Sequence, residues 1–306
     1  MMMKVVREFL LKRSQNRQLD ICKLFCTSSK EELLKKRQEE LMKRSLPKKK
    51  PITGVKNVIL VSSGKGGVGK STVAVNLSLA ISNLPQSPKV CLLDADIFGP
   101  SIPIMMNIND IKPLVDDNDN MLPVYNYGVG CMSMGSLVQS DSAVVWRGPM
   151  VMSALNKLLF GTSWGGDTDY LVIDTPPGTG DIHLSLAQTV TLGGAVVVTT
   201  PQRVAMADVR KGVDMYNKMG VPILGLVQNM ATYTCTNCGH INHVFGQDGA
   251  RKMAESLDIS LLGDIPLDPN IVTSGDSGQP IVMSHPKSQA ALVYHQIAEK
   301  IVSQVE

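Results

Sequence analysis

The stretch from Val58 to Thr72, Val58-Ile59-Leu60-Val61-Ser62-Ser63-Gly64-Lys65-Gly66-Gly67-Val68-Gly69-Lys70-Ser71-Thr72, limits the possible folds more than any other segment of the chain. Its first residues are apolar or small, as in a buried parallel strand, and Val73 to Ile81 repeats apolar residues at helical spacing. Gly64, Gly69, Lys70 and Ser71 fit the phosphate-binding pattern G-x-x-x-x-G-K-[ST], and strand, loop and helix follow in the order that pattern requires.

The physics explains each residue type. Glycines let the backbone turn freely and leave successive N–H groups pointing inward, an anion nest at a helix N-terminus. A nucleoside triphosphate is expected there, cradled by Gly64, Lys65, Gly66, Gly67, Val68, Gly69, Lys70, Ser71 and Thr72. Lys70 carries a point charge to the β and γ phosphates, and the Ser71 hydroxyl is a ligand of Mg²⁺, which takes octahedral oxygen ligands. A ligand-free βα turn is the competing reading, and the lysine and serine together argue against it.

Lys65 is not required by the general pattern; it is either a solvated loop lysine or part of the nucleotide chemistry. The run Lys65-Gly66-Gly67-Val68-Gly69-Lys70-Ser71 resembles the deviant Walker A loop of the MinD, ParA and nitrogenase-iron-protein group. That resemblance implies that Lys65 reaches the nucleotide of a facing subunit, so that catalysis by Lys65 and Lys70 depends on a homodimer.

Lys89 to Leu93 reads as a second strand ending at Asp94-Ala95-Asp96. Acids at the carboxyl end of a parallel strand lie in the crevice where doubly wound sheets bind ligands. Asp96 is assigned to orienting or deprotonating the attacking water and Asp94 to aiding the metal shell; a pair of turn-forming aspartates is the alternative. Asp94 to Ser101 is similar to the first switch segment of the same group. Tyr170 to Ile173 is a buried strand ending in Asp174, expected to bond a water of the Mg²⁺ shell. The turn Thr175-Pro176-Pro177-Gly178-Thr179-Gly180-Asp181 can hold one geometry with a γ-phosphate and another without it, as a second switch, or is an ordinary stiffened connection.

The run from Asp174 to Asp181 resembles the Mrp and nucleotide-binding-protein-35 family of iron–sulfur carriers, a likeness that extends over about residues 40 to 300. Within the family it is nearest the mitochondrial branch that serves respiratory complex I assembly, through Leu46-Pro47-Lys48, Val145-Trp146-Arg147-Gly148 and Gly263-Asp264-Ile265-Pro266.

Further strands are expected at Gly128 to Met134, Ala195 to Thr199, Ile223 to Gln228 and Leu261 to Pro266. Helices are expected at Arg147 to Phe160, with Met150, Leu155, Leu158 and Leu159 inward, and at Val204 to Met219, Val244 to Leu257 and Ser288 to Val302. Leu292 is counted on the apolar side of the last. Asn107 to Asn126 reads as a polar surface excursion. The alternation predicts an α/β fold with a doubly wound, mostly parallel sheet, as in MinD-like P-loop NTPases. Asn229, at a strand end, either bonds the purine edge, as the matching Asn does in the family, or stabilises a turn; resemblance alone favours ATP.

Cys235-Thr236-Asn237-Cys238-Gly239 follows in a polar loop, an insertion at 233–243. Two thiols three residues apart can hold one metal together, but they are half of a tetrahedral site. A second copy in a symmetric dimer completes four thiolates for a [4Fe–4S] cluster or for zinc. Other readings are a single-chain zinc site with His240 and His243, although the spacing is tight, and a redox pair. The family carries a bridging cluster on the matching cysteines. Cys91 and Cys131 sit in apolar strands, and the usage fits a reducing compartment.

Residues 1–50 carry 15 Lys+Arg against 6 Asp+Glu, so the overall charge of +3 hides a basic arm on a mildly acidic body. In residues 1–30 the bases interleave with Val5, Val6, Phe9, Leu10 and Leu11, the pattern of a mitochondrial transit peptide rather than of a nucleic-acid arm or a disordered extension. Residues 31–52 read as a basic helical arm and 53–306 as the ATPase domain. No apolar run approaches the roughly 20 residues that span a bilayer. Taken with the basic leader, the family resemblance implies a mitochondrial-matrix, ATP-dependent carrier, weakly hydrolytic, that forms a homodimer and delivers a cluster to apoproteins of complex I, with neither nucleic acid nor stable membrane insertion. The competing classes are a ParA-like or MinD-like positioning ATPase with structural zinc, which leaves a cluster-type pair unexplained, and a phosphotransferase, for which no acceptor site is visible.

Overall fold

The computed structural model describes residues 49–97, 99–137 and 147–305. The leader expected at 1–30, the arm from 31 as far as Lys48, and Val145-Trp146 lie outside the described residues. Strands are β1 (Val55–Ser63), β2 (Val90–Asp94), β3 (Val124–Asn126), β4 (Val129–Ser133), β5 (Thr168–Asp174), β6 (Gly194–Thr199), β7 (Ile223–Gln228), β8 (Tyr233–Thr234), β9 (Ile241–Asn242) and β10 (Leu261–Asp264). Eight of them form one sheet in the order β10-β7-β6-β1-β5-β2-β4-β3, parallel throughout except for the antiparallel edge pair β3 and β4. This is the doubly wound α/β architecture expected from the alternation.

Both faces of the sheet are covered, so its central strands read as continuous apolar runs rather than alternating ones. In β1, Ile59 and Val61 pack into the core on one face, and Val58 and Leu60 into the core on the other. Helix Lys70–Ser82 is buried from Val73 to Ile81 because it lies between the sheet and the terminal helix Gln289–Val305. Register then builds the site. Val61 pairs with Asp174 across β1 and β5, and Asp94 pairs with Asp174 across β2 and β5, so all three strands finish at one edge of the sheet. From β1 the chain runs to β2 on one side, and after β5 it crosses to β6 on the other, a change of direction at β1 that opens the ligand crevice at the carboxyl ends of the strands.

Several local expectations change. Met150 and Leu292 are exposed, while Val151 and Val293 beside them turn inward. The helix expected from Val244 begins at Gly249, because Gly246 and Asp248 take positive φ angles of 103° and 58° and stop it from extending backward. The excursion from Asn107 is anchored by buried Met121, whose N–H donates to the Gly161 carbonyl, and it ends in edge strand β3.

Helix Arg203–Lys218 lies so close to the start of the phosphate loop that a Cβ on Gly64 would fall 2.5 Å from Asp208 Cβ and 2.7 Å from its carbonyl carbon. Since the obstacle includes backbone, Gly64→Ala is expected to cost about 2 kcal/mol in urea unfolding of the ligand-free protein, an overpacking penalty.

Candidate nucleotide site and cysteine pair

Gly69 enters helix Lys70–Ser82 in the left-handed region, φ 81°, where a Cβ would strike the Asn229 amide nitrogen. Glycine is thus needed twice over, for conformation and for space. Asn229 Nδ2 donates to the Val68 carbonyl at 2.8 Å, and its Oδ1 accepts from the Met230 N–H at 3.0 Å. The end of β7 therefore clamps the loop whose N–H groups form the nest.

Beneath the loop, the Lys70 ammonium donates to Asp174 Oδ1 at 2.5 Å and to the Ser71 hydroxyl at 3.2 Å. Asp174 is fully buried, and Lys70 is 6% exposed. Burial pushes the Asp174 carboxyl up, and the Lys70 charge opposes that rise. Asp174 Oδ2 has no hydrogen-bond partner among the described residues. An unsatisfied carboxylate oxygen next to a serine hydroxyl, under a nest of N–H groups, is the donor set that suits Mg²⁺ and phosphate. The cavity above has a volume of about 390 Å³, within the range of small-ligand pockets.

Lys65 to Thr72 and Asp96 line this cavity, as the sequence predicts. Asp94, Asp174, Gly64 and Asn229 do not line it; they support it from below or from the side. Asp94 is fully buried and accepts from the Asp96 N–H at 3.1 Å, the Ile102 N–H at 3.3 Å and the Ser133 hydroxyl at 3.2 Å. Burial, and then the nearby Asp174 charge, push it up to about 7. Sequence reasoning missed Ile104, Met105 and Asp276 on the cavity wall. Asp276 ends helix Pro269–Asp276, which is not among the helices expected from the sequence although Asp268-Pro269 is a helix-start signal: Asp268 caps the helix by accepting from the Asn270 N–H.

Two contacts tie the cavity to its surroundings. The Lys65 ammonium donates to Gln202 Oε1 at 3.2 Å, and Gln202 is the N-cap of helix Arg203–Lys218. Behind the turn that follows Asp174, His183 lies 2.9 Å from the Pro176 carbonyl through Nε2 and 2.8 Å from the Tyr216 hydroxyl through Nδ1. Burial lowers the His183 pKa to about 4, so the ring is neutral.

Cys235 and Cys238 occupy a separate hairpin of β8 and β9, where the Cys235 N–H donates to the His240 carbonyl and the Gly239 N–H to the Cys235 carbonyl, both at 2.9 Å. Gly239 closes the turn at φ 72°. The backbone N–H groups of Asn237 and Cys238, then the Cys238 side chain, lower the Cys235 pKa and favour its thiolate. Cys238 is exposed, and Cys91 and Cys131 are buried free thiols. Among the described residues no three His, Cys, Asp or Glu side chains converge as a metal site.

Removing only the cation from the Lys70–Asp174 pair leaves a buried carboxylate with no counter-charge. Lys70→Ala is expected to lower unfolding free energy at pH 7 by about 3 kcal/mol without nucleotide, and Lys70→Ala with Asp174→Asn is expected to recover most of it. Equal losses in the single and double variants would refute the coupling.

Residues 54–302 match the ParA-type family described as NUBPL iron-transfer P-loop NTPase. Among relatives, an iron-sulfur cluster transfer protein of Mus musculus is 52% identical over 275 residues, covering 90% of this chain and 86% of the relative. An iron-sulfur protein required for mitochondrial NADH dehydrogenase in Arabidopsis thaliana is 52% identical over 249 residues, covering 81% and 79%. Of solved structures, a nucleotide-binding protein from Archaeoglobus fulgidus in complex with ADP superposes with a TM-score of 0.65 at 36% identity, covering 74% of this chain and 88% of that one. With its phosphate loop, its sheet order and this match over most of its length, the chain belongs to the NUBPL iron-transfer P-loop NTPase family.

Proposed function

We propose that the protein is an ATP-dependent iron–sulfur carrier of mitochondria: a homodimer that binds ATP with Mg²⁺ in each subunit and holds a [4Fe–4S] cluster between subunits on paired Cys235 and Cys238. The observation that carries this reading is the half-site. Two thiols, one biased toward thiolate, stand on a partly open hairpin with no third ligand converging on them among the described residues. A two-fold axis beside the hairpin supplies the other two ligands.

In the nucleotide site Lys70 neutralises the phosphates and Ser71 ligates Mg²⁺, with Asp174 bonding a water of its shell. Asp96, on the cavity wall, orients the attacking water, and Lys65 acts on the partner's nucleotide in slow hydrolysis. Asn229 keeps a second amide hydrogen and a second lone pair beyond its two backbone bonds, enough to meet a purine edge. The named relatives support a mitochondrial place and recipients belonging to NADH dehydrogenase. The basic leader supports the matrix. No described helix is long and apolar enough to cross a membrane.

The test is anaerobic reconstitution with iron and sulfide, read by absorption, metal content and mass in solution. A brown dimer with one four-iron cluster is expected, lost in Cys235→Ala and in Cys238→Ala; a colourless wild type that retains zinc would overturn the carrier reading. In Lys65→Ala, ATP turnover is expected to fall to background while each chain still binds nucleotide.

A further inference from the structure

His183 is 1% exposed and no step proposed above uses it. A carbonyl oxygen cannot donate, so Nε2 carries the proton toward Pro176 and Nδ1 accepts from the Tyr216 hydroxyl. The two rings also meet edge to face, with centroids 6.2 Å apart at 66°. Both ring nitrogens are thereby spent on two different elements.

Those elements are the ones a nucleotide switch has to connect. The turn after Asp174 hangs from β1 at both ends: the Thr175 hydroxyl donates to the Val61 carbonyl and the Gly178 N–H to the Ser63 carbonyl, both at 2.9 Å. Between them Pro176 and Pro177 form a stiff pair, so a push on Pro177, which lines the cavity, displaces the Pro176 carbonyl. Tyr216 sits near the far end of helix Arg203–Lys218. The N-cap of that helix, Gln202, holds Lys65, roughly 20 Å from Tyr216 at 1.5 Å per residue, and Asp208, about two turns before Tyr216, packs against Gly64.

We infer that His183 is a positioning residue that fastens the second switch turn to helix Arg203–Lys218, and that this helix passes the state of the nucleotide site to Lys65. The inference rests on the ATP-dimer reading and deepens it. An apolar side chain would fill the same space without the cost of burying two ring nitrogens. The physical content is a two-state turn whose geometry the helix also feels.

Hydrogen exchange on the full chain, with and without a non-hydrolysable ATP analogue and Mg²⁺, tests it. In the wild type, peptides covering 65–72, 175–180 and 203–218 should all respond. In His183→Phe, which keeps the ring and loses both hydrogen bonds, 65–72 should still respond and 203–218 should not. His183→Gln, with a donor and an acceptor at similar reach, should restore the response. In His183→Phe, kcat for ATP should fall about tenfold with KM within about twofold, the signature of lost positioning rather than lost binding. If His183→Phe does not fold, Tyr216→Phe, which removes one oxygen, carries the same readout. An unaltered response of 203–218 in the folded variant would overturn the inference. Absence of any response at 65–72 in the wild type would sink the nucleotide reading, and this inference with it.

Discussion

Lys70 and Asp174 come from strand ends and loops more than a hundred residues apart, and each removes the other's uncompensated charge from a buried place. Neither is tolerable alone at that depth, since a single buried ion costs several kcal/mol in solvation. The pair therefore fixes how the phosphate loop sits on β5. In the proposed nucleotide complex an arriving phosphate offers Lys70 a stronger anion and leaves Asp174 to a hydrated cation. Asp94, one strand further out, already feels the same carboxylate, which is part of why its own pKa stands near 7.

Parallel register makes that arrangement possible. Because β1, β5 and β2 pair in step, three polar strand ends meet above an otherwise aliphatic sheet. Helix Arg203–Lys218 is pressed against the loop by the glycine at position 64, and β7 clamps it through Asn229. The loop is held by packing and hydrogen bonds from three directions, so its nest is preorganised before any ligand binds.

What the sequence disclosed follows from how local each signal is. The loop from Gly64 to Thr72, the strand ends at Asp94 and Asp174 and the cysteine spacing are short-range patterns, and the chain folds them as written. Met150 and Leu292 turned outward because helical periodicity leaves the apolar face uncertain by one residue when its neighbour is apolar too. Asp276 and Gln202 were not legible as site residues, since only the tertiary fold brings them to a loop 137 residues or more away in sequence. Asn229 was legible as a strand-end polar residue, but its grip on Val68 belongs to the tertiary structure. The cysteine pair could be counted in the sequence; that no third ligand converges on it among the described residues is a matter of the hairpin geometry.

The two lysines of the loop are held by partners of unequal strength, and that inequality suits a switch. Lys70 is bound to a buried carboxylate, whereas Lys65 rests on a neutral amide at 3.2 Å. A hydrogen bond between an ammonium and an amide contributes on the order of 1 kcal/mol net, and one to a charged acceptor about twice that. In the proposed dimer Lys65 thus exchanges a weak partner for a phosphate with little to lose, while Lys70 stays tied until a phosphate reaches it directly. The ordering follows from charge alone: Lys65, the lysine that the proposed dimer assigns to the neighbouring subunit, is the one its own chain holds less tightly.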